Sequence, residues 1–125
     1  MDYKEYQHLL FERFDPRILL ITINRPDVLN ATNRRLHFEL SRVWLDVAED
    51  DETDVVVITG AGRAFSAGGD LDMIEDMKGN AKVITSMMKE AGDIVYNMLN
   101  CEKVIISAIN GVAVGAGLAV AFMAD

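Results

Sequence analysis

The chain has 125 residues and a mass of 13.9 kDa, which fits one small domain. Half of its residues are hydrophobic and 26% are charged, which excludes intrinsic disorder, a state that needs low hydrophobicity together with high charge. With 12 Lys and Arg against 20 Asp and Glu the formal charge is -8. That balance disfavours a general nucleic-acid or anionic-membrane binder and leaves open a local basic contact to a phosphorylated ligand.

In chain order, residues 1–14 are mixed and charged and lack the apolar core of a signal peptide. Leu9 to Phe14 and Ile18 to Ile23 are apolar runs separated by Asp15-Pro16-Arg17, a turn signal that predicts a strand hairpin. Arg25-Pro26 ends the second strand, because proline cannot donate to a ladder. Asn30 to Asn33 lead into an amphipathic helix reaching about Asp50, with Leu36, Leu40, Val43, Trp44 and Val47 at helical spacing. His37 lies in this helix and His8 far from it. Neither has a partner at ligand spacing, so both read as structural or surface residues.

Val55 to Thr59 is a continuous apolar strand of the kind buried on both faces. It runs into a Gly- and Ala-rich loop, Gly60 to Gly69, and a short acidic helix from Asp70 to Met77. After Lys78-Gly79-Asn80 a longer helix presents Val83, Met87, Ala91, Ile94, Val95, Met98 and Leu99. A second buried strand follows, Val104 to Ala108, then a second Gly/Ala loop, Asn110 to Gly117, and another helix. Val104 to Ala124 is long and apolar enough to suggest a membrane span, but Asn110-Gly111, Gly115 and Gly117 break it, and strand–loop–helix is the better reading. Alternating strands and helices predict an α/β core with parallel pairing. The apolar helix just before Asp125 suggests that a C-terminal part of the domain is missing.

Twice, then, a strand runs into a glycine-rich loop that opens a helix. The first N–H groups of a helix have no internal partner, and they stabilise negative charge together with the helix dipole. Two such ends on neighbouring strands can aim two N–H groups at one oxygen, as an oxyanion hole does. Glycine also serves tight turns without function, so spacing alone leaves both readings open. A dinucleotide fingerprint from Gly60 would need glycine where Phe65 stands, and the Gly-Lys-Ser/Thr of a Walker loop is absent. Cys101 is the lone cysteine, which excludes an intrachain disulfide and a cysteine-based zinc site and suggests a reducing, cytoplasmic setting. Asp70, Asp72, Glu75 and Asp76 lack the spacing of a calcium loop and read as a solvated acidic face. No metal is expected. Met73, Met77, Met87, Met88 and Met98 read mainly as core, with Met73 and Met77 the two best placed to shape a pliable pocket.

Ala64-Phe65-Ser66-Ala67-Gly68-Gly69-Asp70-Leu71 resembles the acyl-CoA loop of the enoyl-CoA hydratase/isomerase (crotonase) superfamily. Asn24-Arg25-Pro26 with Asn30-Ala31 resembles its N-terminal signature, and the run from Asn110 to Gly117 its second glycine loop. The resemblance implies a crotonase-like spiral of ββα units, residues 1–125 being one acyl-CoA-binding core from a larger domain, with coenzyme A entering as part of the substrate and no separate cofactor. It implies a lyase or isomerase in which the backbone N–H groups of Ala67 and Ala116 stabilise a thioester enolate. Ala64, Gly68, Gly69, Asp70 and Leu71 match the stretch lining the CoA and thioester channel, although Asp70 also reads as a helix cap. Val28 and Asn30 match the nucleotide end, and Val112, Gly115, Ala116 and Ala119 the second loop and the helix it opens. Ala119 stands where a hydratase of this family carries its first glutamate, and the second would fall beyond Asp125. Isomerase, decarboxylase or hydrolase chemistry, or acyl-CoA binding with poor hydration, therefore stands beside hydration. A non-enzymatic α/β domain is the remaining alternative. The resemblance also implies a homotrimer or hexamer.

Overall fold

Asp15, Pro16 and Arg17 close the hairpin that the sequence predicts. Strand β1 (Leu9–Asp15) runs antiparallel to β2 (Ile18–Ile23), with Leu9 opposite Ile23. The computed structural model describes residues 2–125, and of Phe14 the backbone alone. After a single 3-10 turn, Pro26–Val28, the chain enters helix α1 (Arg34–Ala48). The Asn33 side chain caps α1 by accepting from the Leu36 N–H at 2.8 Å, which satisfies one of the four donors a helix start leaves free.

Strand β3 (Val55–Gly60) pairs parallel to β2, and β4 (Val104–Ser107) parallel to β3. Between β3 and β4 lie α2 (Leu71–Met77) and α3 (Ala81–Leu99), and α4 (Ala116–Met123) follows β4. Among the described residues this gives one four-stranded sheet in the order β1-β2-β3-β4. Ile21, Ile23, Val56, Ile58 and Ile105 of the sheet share a single core with Leu36, Leu40, Val43, Trp44 and Val47 of α1 and with Ile94, Met98 and Val120. Helix α1 packs on α3, and α3 on α4.

Two expectations need correction. The central strand β3 is not buried on both faces: Val56 and Ile58 are sealed, whereas Val55 and Val57 are half-buried. On β4 only Ile105 is sealed, and Val104 and Ile106 stay about half exposed at 47% and 48%. Apolar runs signal burial of both faces only when a layer covers each face. Here the helices cover one, and β4 is an edge strand among the described residues. The apolar stretch from Val104 to Ala124 is divided into β4, a loop and the eight residues of α4. Among the described residues no helix is long and apolar enough to cross a membrane.

Buried carboxylates hold the scaffold at α1. Glu39 accepts from the Gln7 and His8 N–H groups at 2.6 and 3.0 Å and from Arg35 at 2.7 Å. Asp50 accepts from the Tyr3 hydroxyl, Arg13 and the Thr53 hydroxyl at 2.7, 2.6 and 2.9 Å. Burial alone would raise the Asp50 carboxyl, but these donors outweigh it and hold the group at about 2. Both acids are spent on tying the N-terminal segment to the helix.

Candidate active site

The two glycine-rich loops lie against each other and are laced together by main-chain bonds. Phe65 and Ser66 both donate to the Val112 carbonyl, at 3.1 and 3.0 Å, and Val114 returns a bond to the Ser66 carbonyl at 2.9 Å. Asn110 spans the gap with its side chain, donating to the carbonyls of Gly60, Gly62 and Ala64 at 2.8, 2.9 and 3.1 Å. At Gly117 the approach requires the missing side chain, since a Cβ there would sit 2.5 Å from that of Ser66. Gly115 opens α4 with φ 58 and ψ -125, a conformation essentially confined to glycine.

The lacing decides which N–H groups remain free on the first loop. Ala67 donates to the Leu29 carbonyl at 3.0 Å and Asp70 to the Thr32 carbonyl at 3.0 Å, while the Gly68 N–H faces the Ser66 hydroxyl at 3.4 Å. From Phe65 to Asp70, the Gly69 N–H alone has no partner among the described residues. The expectation for Ala67 is thus corrected: its donor is already used inside the protein, and the free one lies two residues further on. On the second loop Ala116, the first residue of α4, also carries an N–H with no partner among the described residues. Gly115 abuts the first loop, because a Cβ on it would stand 3.9 Å from the Gly69 nitrogen.

Gly69, Gly115, Ala116 and Ala119 line one apolar cavity of about 370 Å³, together with His37, Met73, Ala91, Ile94 and Val95. These four expected residues are therefore brought together, and Met73 joins them. Met77 does not line the cavity, and Met88 is exposed.

Other expected residues stand elsewhere. Asn30 is fully buried with φ 55, and its side chain accepts from the Arg25 N–H at 2.8 Å and donates to the Ala61 and Ala64 carbonyls at 2.9 and 2.8 Å. Ala64 is 1% exposed. Both are corrected from ligand contacts to scaffold, since Asn30 is sealed with its side chain engaged and Ala64 has almost no surface, its carbonyl taken by Asn30 and Asn110. Val28 is exposed on a separate shallow depression with His8, Asn24 and Arg25, where burial holds the His8 ring below its ordinary value, with Glu39 opposing. Asp70 caps α2 by accepting from the Met73 N–H at 2.8 Å and pairs with Arg25 at 3.2 Å. Leu71 is 83% exposed, Val112 half exposed, and Gly68 is buried beneath the Val114 carbonyl. Of the acidic face, Glu75 pairs with Lys78 at 2.9 Å. Asp72 and Asp76 are exposed.

A sequence model described as enoyl-CoA hydratase/isomerase matches residues 13–125. The chain belongs to that family. A relative named probable enoyl-CoA hydratase 1, peroxisomal, from Arabidopsis thaliana is 38% identical over 109 residues, covering 86% of this chain and 39% of the relative. The 1,2-epoxyphenylacetyl-CoA isomerase of Escherichia coli is 36% identical over 110 residues, covering 86% and 42%. The crystal structure of an enoyl-CoA hydratase/isomerase from Mycobacterium paratuberculosis superposes with a TM-score of 0.89 at 37% identity, over 94% of this chain and 47% of that one. The chain thus has the crotonase fold and spans about two fifths of the length of these curated relatives. Hydratases and isomerases both occur among them.

Sequence reasoning missed one polar feature of the cavity. His37, read as structural or surface, is buried, and its Nδ1 lies 2.9 Å from Glu90 Oε2 on α3. The two residues are 53 positions apart, and no local spacing signals such a pair.

Proposed function

We propose that this family member binds an acyl-CoA thioester in the cavity between the two glycine loops and stabilises its enolate. The observation that carries the reading is that two N–H groups without a partner among the described residues, those of Gly69 and Ala116, belong to residues lining one apolar cavity. Both would donate to the thioester oxygen. As a proton leaves the α-carbon, charge develops on that oxygen, and fixed donors stabilise it without reorganising. The Ala116 donor has in addition the positive end of the α4 dipole behind it. Met73, Ile94 and Val95 would surround the acyl chain.

Isomerisation or another single-proton chemistry suits the cavity better than hydration, because Ala119 offers a methyl group where water addition calls for a second acid or base. A cytoplasmic setting is our reading of the composition and of the unpaired Cys101.

Calorimetric titration of the native-length protein with butyryl-CoA tests the proposal. Tighter binding of butyryl-CoA than of free coenzyme A is expected, and no binding of either would favour a non-enzymatic domain. We also read the native-length protein as a homotrimer or hexamer. Light scattering at micromolar concentration should report three or six copies, and a stable monomer would overturn that part.

A further inference from the structure

We infer that His37, held by Glu90, is the group that moves the α-proton of the bound thioester. The inference rests on the acyl-CoA reading of the cavity and adds a residue to it. Among the nine residues lining the cavity, His37 carries the one titratable side chain. Ala119, also on the cavity wall, supplies a methyl group and no acid or base. His37 is 5% exposed and shares the cavity wall with Met73, Ile94 and Val95.

The Glu90 contact determines which ring nitrogen can act. A carboxylate only accepts hydrogen bonds, so in the neutral form of the ring the contact at 2.9 Å calls for the proton on Nδ1 and the lone pair on Nε2. Nε2 has no hydrogen-bond partner among the described residues. A cavity-lining imidazole with one nitrogen oriented by a carboxylate and the other without a protein partner is the arrangement of a base with its orienting residue. Glu90 is in this sense a positioning residue: it lies on α3, bonds His37 on α1, and does not itself line the cavity.

The step balances without a co-reactant. Nε2 takes the proton from the α-carbon, the C–H electron pair becomes the carbon–carbon double bond of the enolate, and the carbonyl pair moves to the oxygen held by Gly69 and Ala116. The imidazolium then returns a proton to the α-carbon, or to the γ-carbon of a β,γ-enoyl thioester, which isomerises it.

In D2O the native-length protein should place deuterium on the α-carbon of butyryl-CoA, read by mass spectrometry. His37→Gln keeps a donor for Glu90 but has no base. It is expected to slow exchange by about two to four orders of magnitude while the butyryl-CoA dissociation constant stays within about threefold, a split that a purely structural role would not produce. A second measurement uses the unmodified protein, so that misfolding of the variant does not decide the matter. 2-Bromobutyryl-CoA should alkylate His37 as Nε2 displaces bromide, and excess butyryl-CoA should block the label. Exchange by His37→Gln at the unmodified rate, or a label that avoids His37, overturns its role and leaves the acyl-CoA reading standing. Failure of the unmodified protein to bind butyryl-CoA overturns that reading and this inference with it.

Discussion

Replacing Ala116 with proline should lower enolate-dependent turnover of an acyl-CoA by about two to three orders of magnitude, the usual cost of one oxyanion donor, with the fold retained. Ala116 is the first residue of α4, and proline is favoured there because its missing N–H would have no intrahelical partner and its φ is already helical. The residue before a proline avoids the right-handed helical region, and Gly115, at φ 58 and ψ -125, is already outside it. The substitution therefore removes the proposed donor and little else. Thermal unfolding and circular dichroism check the fold, and kcat/KM for the isomerised thioester reports the donor. An intact fold with undiminished kcat/KM would show that the Ala116 N–H does not hold the developing charge.

The sequence was most informative where structure is local. Helix α1 could be read from the spacing of Leu36, Leu40, Val43, Trp44 and Val47, and its start from Asn33, because a helix face and a cap are set by neighbours within one or two turns. The hairpin at Asp15-Pro16-Arg17 and the Asp70 cap belong to the same class. Burial of β4 was misjudged because an apolar strand looks the same whether one or both of its faces are covered. That depends on what packs above it, and Val104 and Ile106 are left half exposed.

The site divides along the same line. Resemblance located both glycine loops, yet the free donor of the first depends on Leu29, whose carbonyl takes the Ala67 N–H from 38 positions away. Asn30 and Ala64 look like ligand contacts in a motif and prove to be the lacing beneath it. The pairing of His37 with Glu90 arises only when α1 packs on α3. Loop chemistry is thus legible from residue types, whereas the availability of each polar atom is a property of the tertiary structure.

Introducing glutamate at position 119 should raise hydration of crotonyl-CoA by about two orders of magnitude or more, within the range a positioned acid or base contributes. Water addition across an enoyl thioester needs one group to orient and deprotonate water and one to protonate the α-carbon. The cavity offers His37 for one of these and a methyl group at the other place. Residue 119 lies three positions beyond Ala116 on α4, and residues so spaced share a helix face. A carboxyl there would emerge beside the oxygen that the Gly69 and Ala116 donors are proposed to hold. Desolvation among Met73, Ile94 and Val95 would raise its pKa, which favours the protonated form that a general acid needs. The cavity of about 370 Å³ has room for the longer side chain beside a short acyl group. Loss of the enoyl-thioester absorbance follows the reaction directly. If the unmodified native-length protein already hydrates crotonyl-CoA with a kcat in the ordinary enzymatic range of about 1 to 10³ per second, then Ala119 is no handicap, and the second acid or base comes from a part of the protein outside these residues.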